Sequence, residues 1–172
     1  LEENPEEFSP KENFKKAYFA AGRFWGVEFL FQKQIGVLEV VSGYMGGDIE
    51  NPTYKIVCSG FSGHLEVVEV VFDESIVSYG TLVKLFFEIH DFTQTNGQGP
   101  DIGTQYLSAI FYCDENQKNI AEELIEQLKE KAYKVATTLR PKVKFHKAES
   151  YHQNYYNKSG KTPYCHSYRK VF

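Results

Sequence analysis

The chain has 172 residues, enough for one compact domain and too few for two ordinary ones. Hydrophobic residues make up 42% and charged residues 24%, the balance of a soluble globular protein. Nineteen basic against 23 acidic residues give a formal charge of −4, which argues against a nucleic acid partner because phosphate binding needs a basic face. No apolar run approaches the roughly 20 residues that span a bilayer, so we expect no membrane protein.

The pattern of apolar residues predicts one domain over residues 14–172, behind an acidic, proline-containing arm over residues 1–13. Strands are predicted, in chain order, at Ala17–Ala21, Val37–Ser42, His64–Phe72, Gln105–Tyr112 and Lys142–His146. Helices are predicted at Trp25–Gln34, at Tyr54–Cys58 behind an N-cap at Asn51, from an N-cap at Ser78 to Ile89, and at Glu115–Tyr133. This alternation predicts an α/β or α+β two-layer sandwich: a mixed sheet, flanking helices and a long coiled C-terminal tail over residues 148–172.

The three cysteines, Cys58, Cys113 and Cys165, form no CxxC pair, and the five histidines show no ligand-like spacing. We therefore predict no metal site, no cofactor and no disulfide framework. Cys58 and Cys113 fall within or at the end of regular elements and are predicted to be core residues. Cys165 lies in a tail segment punctuated by glycine and proline, where a thiol is suited to disulfide exchange.

The turn from the first strand into the first helix places residue 23 at a helix N-terminus, where free N–H groups and the helix dipole favour negative charge. A cysteine there would have its thiolate stabilised, yet the residue is Arg23, a cation of the wrong sign. Two interpretations are open: Arg23 pairs with a carboxylate on the surface, or an acid meets it within a site.

Strand alternation places Glu66 on the same face as Val68, Val70 and Phe72. A carboxyl group beside apolar residues has a raised pKa and can donate a proton near neutral pH. The alternative is a solvated Glu66 at the end of its strand. The polar loop from His90 to Thr104 shows no core pattern, and loops of this length in compact domains are usually functional.

Several separated blocks, in the same order over about Ala17–Lys170, are similar to the methionine sulfoxide reductase A family. The blocks are Gly22-x-Phe24-Trp25-Gly26, Gly43-Tyr44-Met45-Gly46-Gly47, Asn51-Pro52-Thr53-Tyr54, Val57-Cys58-Ser59-Gly60 with Gly63-His64-x-Glu66, the loop from His90-Asp91 to Tyr106, and Tyr151-His152-Gln153. The resemblance implies thiol-dependent reduction of the S epimer of methionine sulfoxide, free or in proteins, as a repair of oxidative damage.

The resemblance also implies roles for particular residues. Glu66 would donate a proton to the sulfoxide oxygen, helped by the hydroxyls of Tyr54 and Tyr106, while Asp101 organises the polar groups nearby. Phe24 and Trp25 would hold the S-methyl group in an apolar pocket. Cys165 stands where some members carry a resolving cysteine, whose disulfide with the oxidised nucleophile is reduced by thioredoxin.

The chain departs from the family at Arg23, which occupies the position of the catalytic cysteine or selenocysteine. A guanidinium cannot attack sulfur, so we expect this form to be inactive or severely impaired. Three explanations are open. A single U-to-C change converts a cysteine or UGA codon to arginine; the chain is a pseudoenzyme that binds methionine sulfoxide peptides; or Cys58 or Cys165 replaces the nucleophile.

We expect Arg23 to reach toward Glu66, to fill part of the sulfoxide pocket and to lower the pKa of the glutamate. The absence of an obvious apolar surface stripe favours a monomer. We expect a cytoplasmic protein, with a periplasmic location or a fragment of a larger fused protein left open.

Overall fold

The computed structural model describes residues 14–160, 166 and 168–172. Its strands are β1 (Phe14–Ala21), β2 (Val37–Met45), β3 (Leu65–Asp73), β4 (Gly97–Gln98), β5 (Asp101–Ile102), β6 (Ser108–Tyr112), β7 (Thr138–Pro141) and β8 (His146–Lys147). Six of them form one sheet in the order β7-β6-β1-β3-β2-β8. Strands β6 and β7 are parallel and the other neighbours antiparallel, so the predicted mixed sheet is confirmed.

Five α-helices accompany the sheet within the described residues. They are α1 (Phe24–Gln32), α2 (Tyr54–Cys58), α3 (Tyr79–Glu88), α4 (Glu115–Glu130) and α5 (Tyr155–Ser159). Short 3-10 turns at Thr104–Tyr106 and Ser150–His152 precede β6 and α5. None of these helices is long and apolar enough to cross a membrane.

The core lies between one face of the sheet and helices α1, α3 and α4, which confirms the predicted α+β architecture. Phe19 of β1 stacks on Phe31 of α1 and Phe86 of α3, with ring centroids 5.1 and 5.2 Å apart. Because successive strand residues point to opposite faces, the neighbouring Tyr18 belongs to a second, smaller cluster that includes Val67 on the other face.

One predicted strand is wrong. Residues Lys142–His146 form no single strand; instead β7 ends at Pro141 and the two-residue β8 begins at His146. Proline has no N–H for the strand ladder, which is consistent with the end of β7 there. Strand β7 is half exposed at the edge of the sheet, so its residues show little of the alternation that marks a buried strand.

Several elements differ in detail from the prediction, among them the strand predicted from Gln105, which begins only at Ser108. Helix α2 is capped by Thr53, whose hydroxyl accepts the N–H of Ile56, whereas Asn51 adopts a φ of 50° ahead of the helix. Helix α4 ends at Glu130 because Ala132 turns into the left-handed region, with a φ of 72°. The predicted loop between His90 and Thr104 contains the small β4–β5 hairpin.

Candidate active site

Arg23 is the N-cap residue of α1 and follows the last residue of the β1–α1 turn, Gly22. Gly22 has a φ of 93°, and a Cβ atom there would lie 2.7 Å from the side chain of Gln98. Only glycine satisfies both constraints. The turn therefore brings the start of α1 against the β4–β5 hairpin, which carries Asp101.

The Arg23 guanidinium points into a site built from three distant segments. Its Nε and Nη2 donate to the two carboxylate oxygens of Asp101 at 3.3 and 3.1 Å. It also donates to the hydroxyl oxygens of Tyr54 at 2.9 Å and Tyr106 at 3.4 Å. The group lies over the rings of Trp25 and Tyr106, 5.4 and 5.3 Å from their centroids. Arg23 thus occupies the space between the aromatic residues of the site.

The acid that meets Arg23 is Asp101, and the expected pairing with Glu66 is wrong. The Arg23 and Asp101 side chains are only 19% and 10% exposed. Burial alone would lower the pKa of Arg23, but the hydrogen bond to Asp101 and the nearby Tyr106 and Tyr54 raise it above its ordinary value. The wrong-sign cation at the helix N-terminus is therefore compensated across the site, from the β4–β5 hairpin.

Glu66 lies on β3 and is 1% exposed. Its Oε1 accepts the backbone N–H of Phe24 at 3.0 Å, while its Oε2 has no hydrogen-bond partner among the residues that the structure describes. Burial raises the pKa of Glu66 to about 8, and the Phe24 N–H and the charge of Arg23 oppose this only in part. The sequence-based prediction of a raised pKa is confirmed. The charge of Arg23 lowers this pKa in the expected direction, but burial outweighs it and the net pKa stays raised.

The hydroxyls of Tyr54 and Tyr106 flank the same space. Burial raises the pKa of Tyr54, and the proximity of Glu66 adds to the shift. The same two causes raise the pKa of Tyr106 to about 12. Both phenols therefore keep their protons at neutral pH and can donate hydrogen bonds, as the protonated Glu66 can.

Aromatic side chains border the polar residues of the site. We call Phe24, Trp25, His152 and Tyr155 together the aromatic wall. Phe24 is buried at 1% exposure, with its ring centroid 5.2 Å from that of His152. Trp25 stacks on Tyr155 of α5 at 3.9 Å with the planes 11° apart, and its Nε1 donates to His152 Nδ1 at 3.0 Å. His152 also lies 4.3 Å from the ring of Tyr54. The two predicted pocket residues are thus brought together with Arg23 and the acid.

Glu149, which no sequence pattern marked as a site residue, positions Tyr54. Its two oxygens accept the hydroxyl of Tyr44 at 2.8 Å and the backbone N–H of Tyr54 at 2.9 Å. Burial opposes ionisation, but these hydrogen bonds lower the pKa of Glu149. His152 and Tyr155 were also missed as parts of the wall, although Tyr151-His152-Gln153 was among the family blocks.

The cysteines differ from the core residues that were predicted. Cys58, at the C-terminal end of α2, is half-buried beside the hydroxyls of Tyr54 and Tyr106, and burial raises the pKa of its thiol. Cys113 is exposed. Cys165 lies outside the described residues, but its chain neighbour His166 is buried and its Nε2 lies 2.6 Å from the Ala21 carbonyl oxygen.

A metal centre has no support in the part of the chain that the structure describes. No group of three or more His, Cys, Asp or Glu side chains there is placed to hold an ion. The charged groups at the site are instead one cation, Arg23, its partner Asp101 and the protonatable Glu66. This arrangement suits hydrogen bonding and proton donation to a polar ligand atom.

Known proteins share both the sequence and the fold. A sequence model of the family described as Peptide methionine sulfoxide reductase matches residues 15–171. The peptide methionine sulfoxide reductase MsrA of Nautilia profundicola is 51% identical over 150 residues, covering 87% of each chain. Mxr1 from Saccharomyces cerevisiae in reduced form has a TM-score of 0.87 at 32% identity, covering 92% of this chain and 93% of that one.

A structure of the same yeast protein in complex with Trx2 aligns with a TM-score of 0.63 over 99% of this chain and 96% of that one. Its 20% identity shows the fold alone. The family match spans almost the whole described domain, and the Nautilia relative is aligned over most of both chains. The chain therefore belongs to the peptide methionine sulfoxide reductase family.

Proposed function

We propose that this chain carries the site of a thiol-dependent reductase for the S epimer of methionine sulfoxide, and that Arg23 stands in the place of the nucleophile and prevents turnover. The observation that carries the proposal is the buried Glu66 carboxyl group close to Tyr54 and Tyr106, at a site bordered by Trp25. The hydroxyl oxygens of both tyrosines contact the guanidinium of residue 23.

These donors match the chemistry of a sulfoxide. Its sulfur is a poor electrophile until the oxygen is protonated or strongly hydrogen-bonded. With a pKa of about 8, Glu66 is mostly protonated at neutral pH, and its unpartnered Oε2 is available to bind the sulfoxide oxygen. The phenols of Tyr54 and Tyr106 would donate to the same oxygen as negative charge develops on it.

The reaction requires a thiol at residue 23. The thiolate sulfur attacks the sulfoxide sulfur and forms a sulfur–sulfur bond, while the sulfoxide oxygen takes up two protons, one from Glu66, and leaves as water. A water molecule then attacks the enzyme sulfur and breaks the sulfur–sulfur bond, which releases methionine and a proton and leaves the enzyme sulfur as a sulfenic acid. A second thiol then displaces water to form a disulfide, and a dithiol reduces it. We assign Cys165 as this second thiol and thioredoxin as the dithiol, because yeast Mxr1, 32% identical to this chain in its reduced form, has been solved in complex with Trx2.

A binding module for methionine sulfoxide peptides is not favoured as the alternative. The Arg23 guanidinium lies between the rings of Trp25 and Tyr106, where the apolar S-methyl group would be held. A bound sulfoxide would have to displace a cation that is fixed by Asp101 and by two phenols.

Cys58 is also a poor substitute nucleophile, although it lies in the site. It sits at the C-terminal end of α2, where the helix dipole disfavours a thiolate, and its pKa is raised by burial. Position 23, in contrast, caps the N-terminus of α1, where a thiolate would be stabilised.

The test is the reduction of an N-acetylated methionine S-sulfoxide amide with dithiothreitol by three forms of the chain. We expect no turnover by the unmodified chain and turnover by Arg23→Cys. Arg23→Ser is the matched control, because it empties the pocket without adding a thiol; it should bind the sulfoxide without reducing it. The R epimer should not be reduced by any form.

Turnover by the unmodified chain would refute the proposed inactivity and point to Cys58 or Cys165. Failure of Arg23→Cys, with binding by Arg23→Ser intact, would refute the assignment of residue 23 as the position of the nucleophile.

A further inference from the structure

Glu28 is a buried carboxyl group that the proposed mechanism does not use. It lies on the packed face of α1 with Phe24, Val27 and Phe31, and is 1% exposed. Burying a carboxylate costs free energy unless hydrogen bonds compensate for the lost water. A glutamate in the apolar stripe of a helix therefore needs partners in the fold.

The partners of Glu28 are backbone N–H groups at the start of α5. Both carboxylate oxygens accept the N–H of Asn154, at 3.0 and 2.9 Å, and the N–H of Tyr155 also bonds to the group. One turn along α1, Gln32 exchanges side-chain hydrogen bonds with Asn154 and Asn157. Helix α1 thus holds the first turn of α5 through a buried contact and an exposed one.

The segment that Glu28 holds forms part of the wall of the candidate site. Tyr155 stacks on Trp25 at 3.9 Å, and His152, two residues before Asn154, accepts the indole N–H of Trp25. Trp25 precedes Glu28 by three residues, so both lie on one side of α1. The carboxylate therefore fixes the backbone of a residue whose ring covers Trp25.

We propose that Glu28 is a positioning residue of the sulfoxide site, whose ionised carboxylate holds Asn154 and Tyr155 so that Tyr155 and His152 fix the Trp25 indole, and whose protonation releases this wall. An ionised carboxylate accepts several hydrogen bonds at once, whereas a protonated one accepts fewer and more weakly. The wall should therefore loosen as Glu28 gains a proton.

The surroundings of Glu28 place its gain or loss of a proton near neutral pH. Burial raises the pKa of Glu28 to about 7, against the Asn154 and Tyr155 N–H groups and the charge of Lys158, which favour the ionised form. Lys158 is the charged group that faces it from α5, and β2 contributes the uncharged Ser42. Ionised Glu28 thus predominates above pH 7, and the wall is firm there.

The test uses Trp25, the single tryptophan of the chain. Quenching of its fluorescence by acrylamide, measured from pH 6 to 9, should increase as the pH falls, with a midpoint near 7. Glu28→Gln should lose this transition and show strong quenching at every pH. Asn154→Gly is the matched control: it removes the exposed contact with Gln32 but keeps the N–H, so its transition should remain.

His152 also contacts the Trp25 indole, so its titration could change the fluorescence as well. The two titrations differ in the pH at which they occur. Burial lowers the pKa of His152 below its ordinary value, so its effect falls at lower pH and persists in Glu28→Gln. A transition near pH 7 that survives in Glu28→Gln, or its absence in the unmodified chain, would overturn the proposal.

Amide hydrogen exchange in the unmodified chain decides the matter if Glu28→Gln does not fold. The protection of the Asn154 and Tyr155 amides should be weaker at a pH below 7 than at a pH above 7, while the protection of Val68 in the sheet stays the same. Equal protection of Asn154 and Tyr155 on the two sides of pH 7 would overturn the proposal. The inference rests on the proposed function only in taking Trp25 as a pocket wall. Neither measurement uses sulfoxide or turnover, so either can fail while the reductase assay succeeds.

Discussion

Glu66 and Glu28 are two carboxyl groups with the same exposure, 1%, and both contact the backbone at the N-terminus of a helix. They differ in how their oxygens are satisfied. Glu66 accepts one N–H through Oε1 and leaves Oε2 without a partner among the described residues, whereas both oxygens of Glu28 accept the N–H of Asn154. Their neighbouring charges also differ, with Arg23 and Asp101 near Glu66 and Lys158 near Glu28.

The difference in hydrogen bonding separates two uses of a buried acid. Burial raises the pKa of Glu66 to about 8 and that of Glu28 only to about 7. An acid with a vacant oxygen and a proton at neutral pH is suited to donate to a ligand. An acid whose oxygens are filled by backbone N–H groups is suited to hold two segments together.

The largest expected effect is on catalytic activity, where substitutions of Glu66 and Glu28 should differ. In the Arg23→Cys background, Glu66→Gln should lower kcat by on the order of 10²- to 10⁴-fold, because it removes the proton donor. Glu28→Gln in the same background should act mainly on KM, since it only loosens the wall. Steady-state kinetics with the S-sulfoxide amide measures both, and a similar loss of kcat in the two variants would contradict the distinction.

The pH dependence of Arg23→Cys sharpens the comparison further. The rate should fall as the pH rises through the pKa of Glu66, about 8 in the unmodified chain, because the donor loses its proton. The charge of Arg23 lowers this pKa, so its removal should move the fall to higher pH. A pH profile of kcat checks this, and a fall that persists unchanged in Glu66→Gln would contradict Glu66 as the proton donor.

Loss of either carboxyl group should change stability in the same direction at high pH, with a larger effect for Glu66. The pKa of Glu66 is 4.5 in an ordinary environment and about 8 in the fold, so its contribution to stability is full below pH 4.5 and is lost as the pH rises through 8. At pH 8.5 Glu66→Gln should therefore stabilise the fold by on the order of 1 kcal/mol, with a smaller effect at pH 5.

The pKa of Glu28 is also raised, from 4.5 to about 7, so its contribution to stability is full below pH 4.5 and is lost as the pH rises through 7. At pH 8.5 Glu28→Gln should therefore also stabilise the fold, but by less than Glu66→Gln, because glutamine offers the Asn154 N–H one acceptor oxygen instead of two. Urea unfolding at the two pH values measures both variants, and a larger gain for Glu28→Gln would mean that the hydrogen bonds of Glu28 do not compensate for its burial.

The sequence was sufficient for most of the sheet and for the environment of Glu66. Alternation along β3 places Glu66 among valines, and a carboxyl among valines keeps its proton; both are local consequences of the sequence. The edge strand β7 and the cap at Thr53 were not predicted. Half-exposed strands show weak alternation, and the geometry that makes Thr53 rather than Asn51 the cap is set by the fold.

The partner of Arg23 could not be predicted because the competing acids are distant in sequence. Asp101 lies 78 residues away in a hairpin whose position depends on Gln98, which forms two hydrogen bonds with the backbone of Asp91.

The burial of Glu28, in contrast, could have been predicted from its position in the sequence. Glu28 stands four residues after Phe24 and three before Phe31, within the apolar stripe of α1. A glutamate in such a stripe indicates a buried acid with fixed partners.

The smallest expected effect extends the comparison to a third carboxyl group, Asp101, which is satisfied by a cation. Asp101→Asn should destabilise this chain by about 1 kcal/mol, because it leaves the Arg23 guanidinium, 19% exposed, without its counter-charge at a helix N-terminus. In the Arg23→Ser background the same substitution should cost less, since the cation is absent.

Urea unfolding of the four forms gives the coupling free energy between the two side chains. Equal costs in both backgrounds would mean that Asp101 stabilises the fold through other contacts. A larger cost of Asp101→Asn when Arg23 is present would show that Asp101 of the β4–β5 hairpin offsets the positive charge at the N-terminus of α1. Then the fold tolerates Arg23 because Asp101 already lies in the site, and Glu66 remains protonated because its burial outweighs the charge of Arg23, which pairs with Asp101 instead.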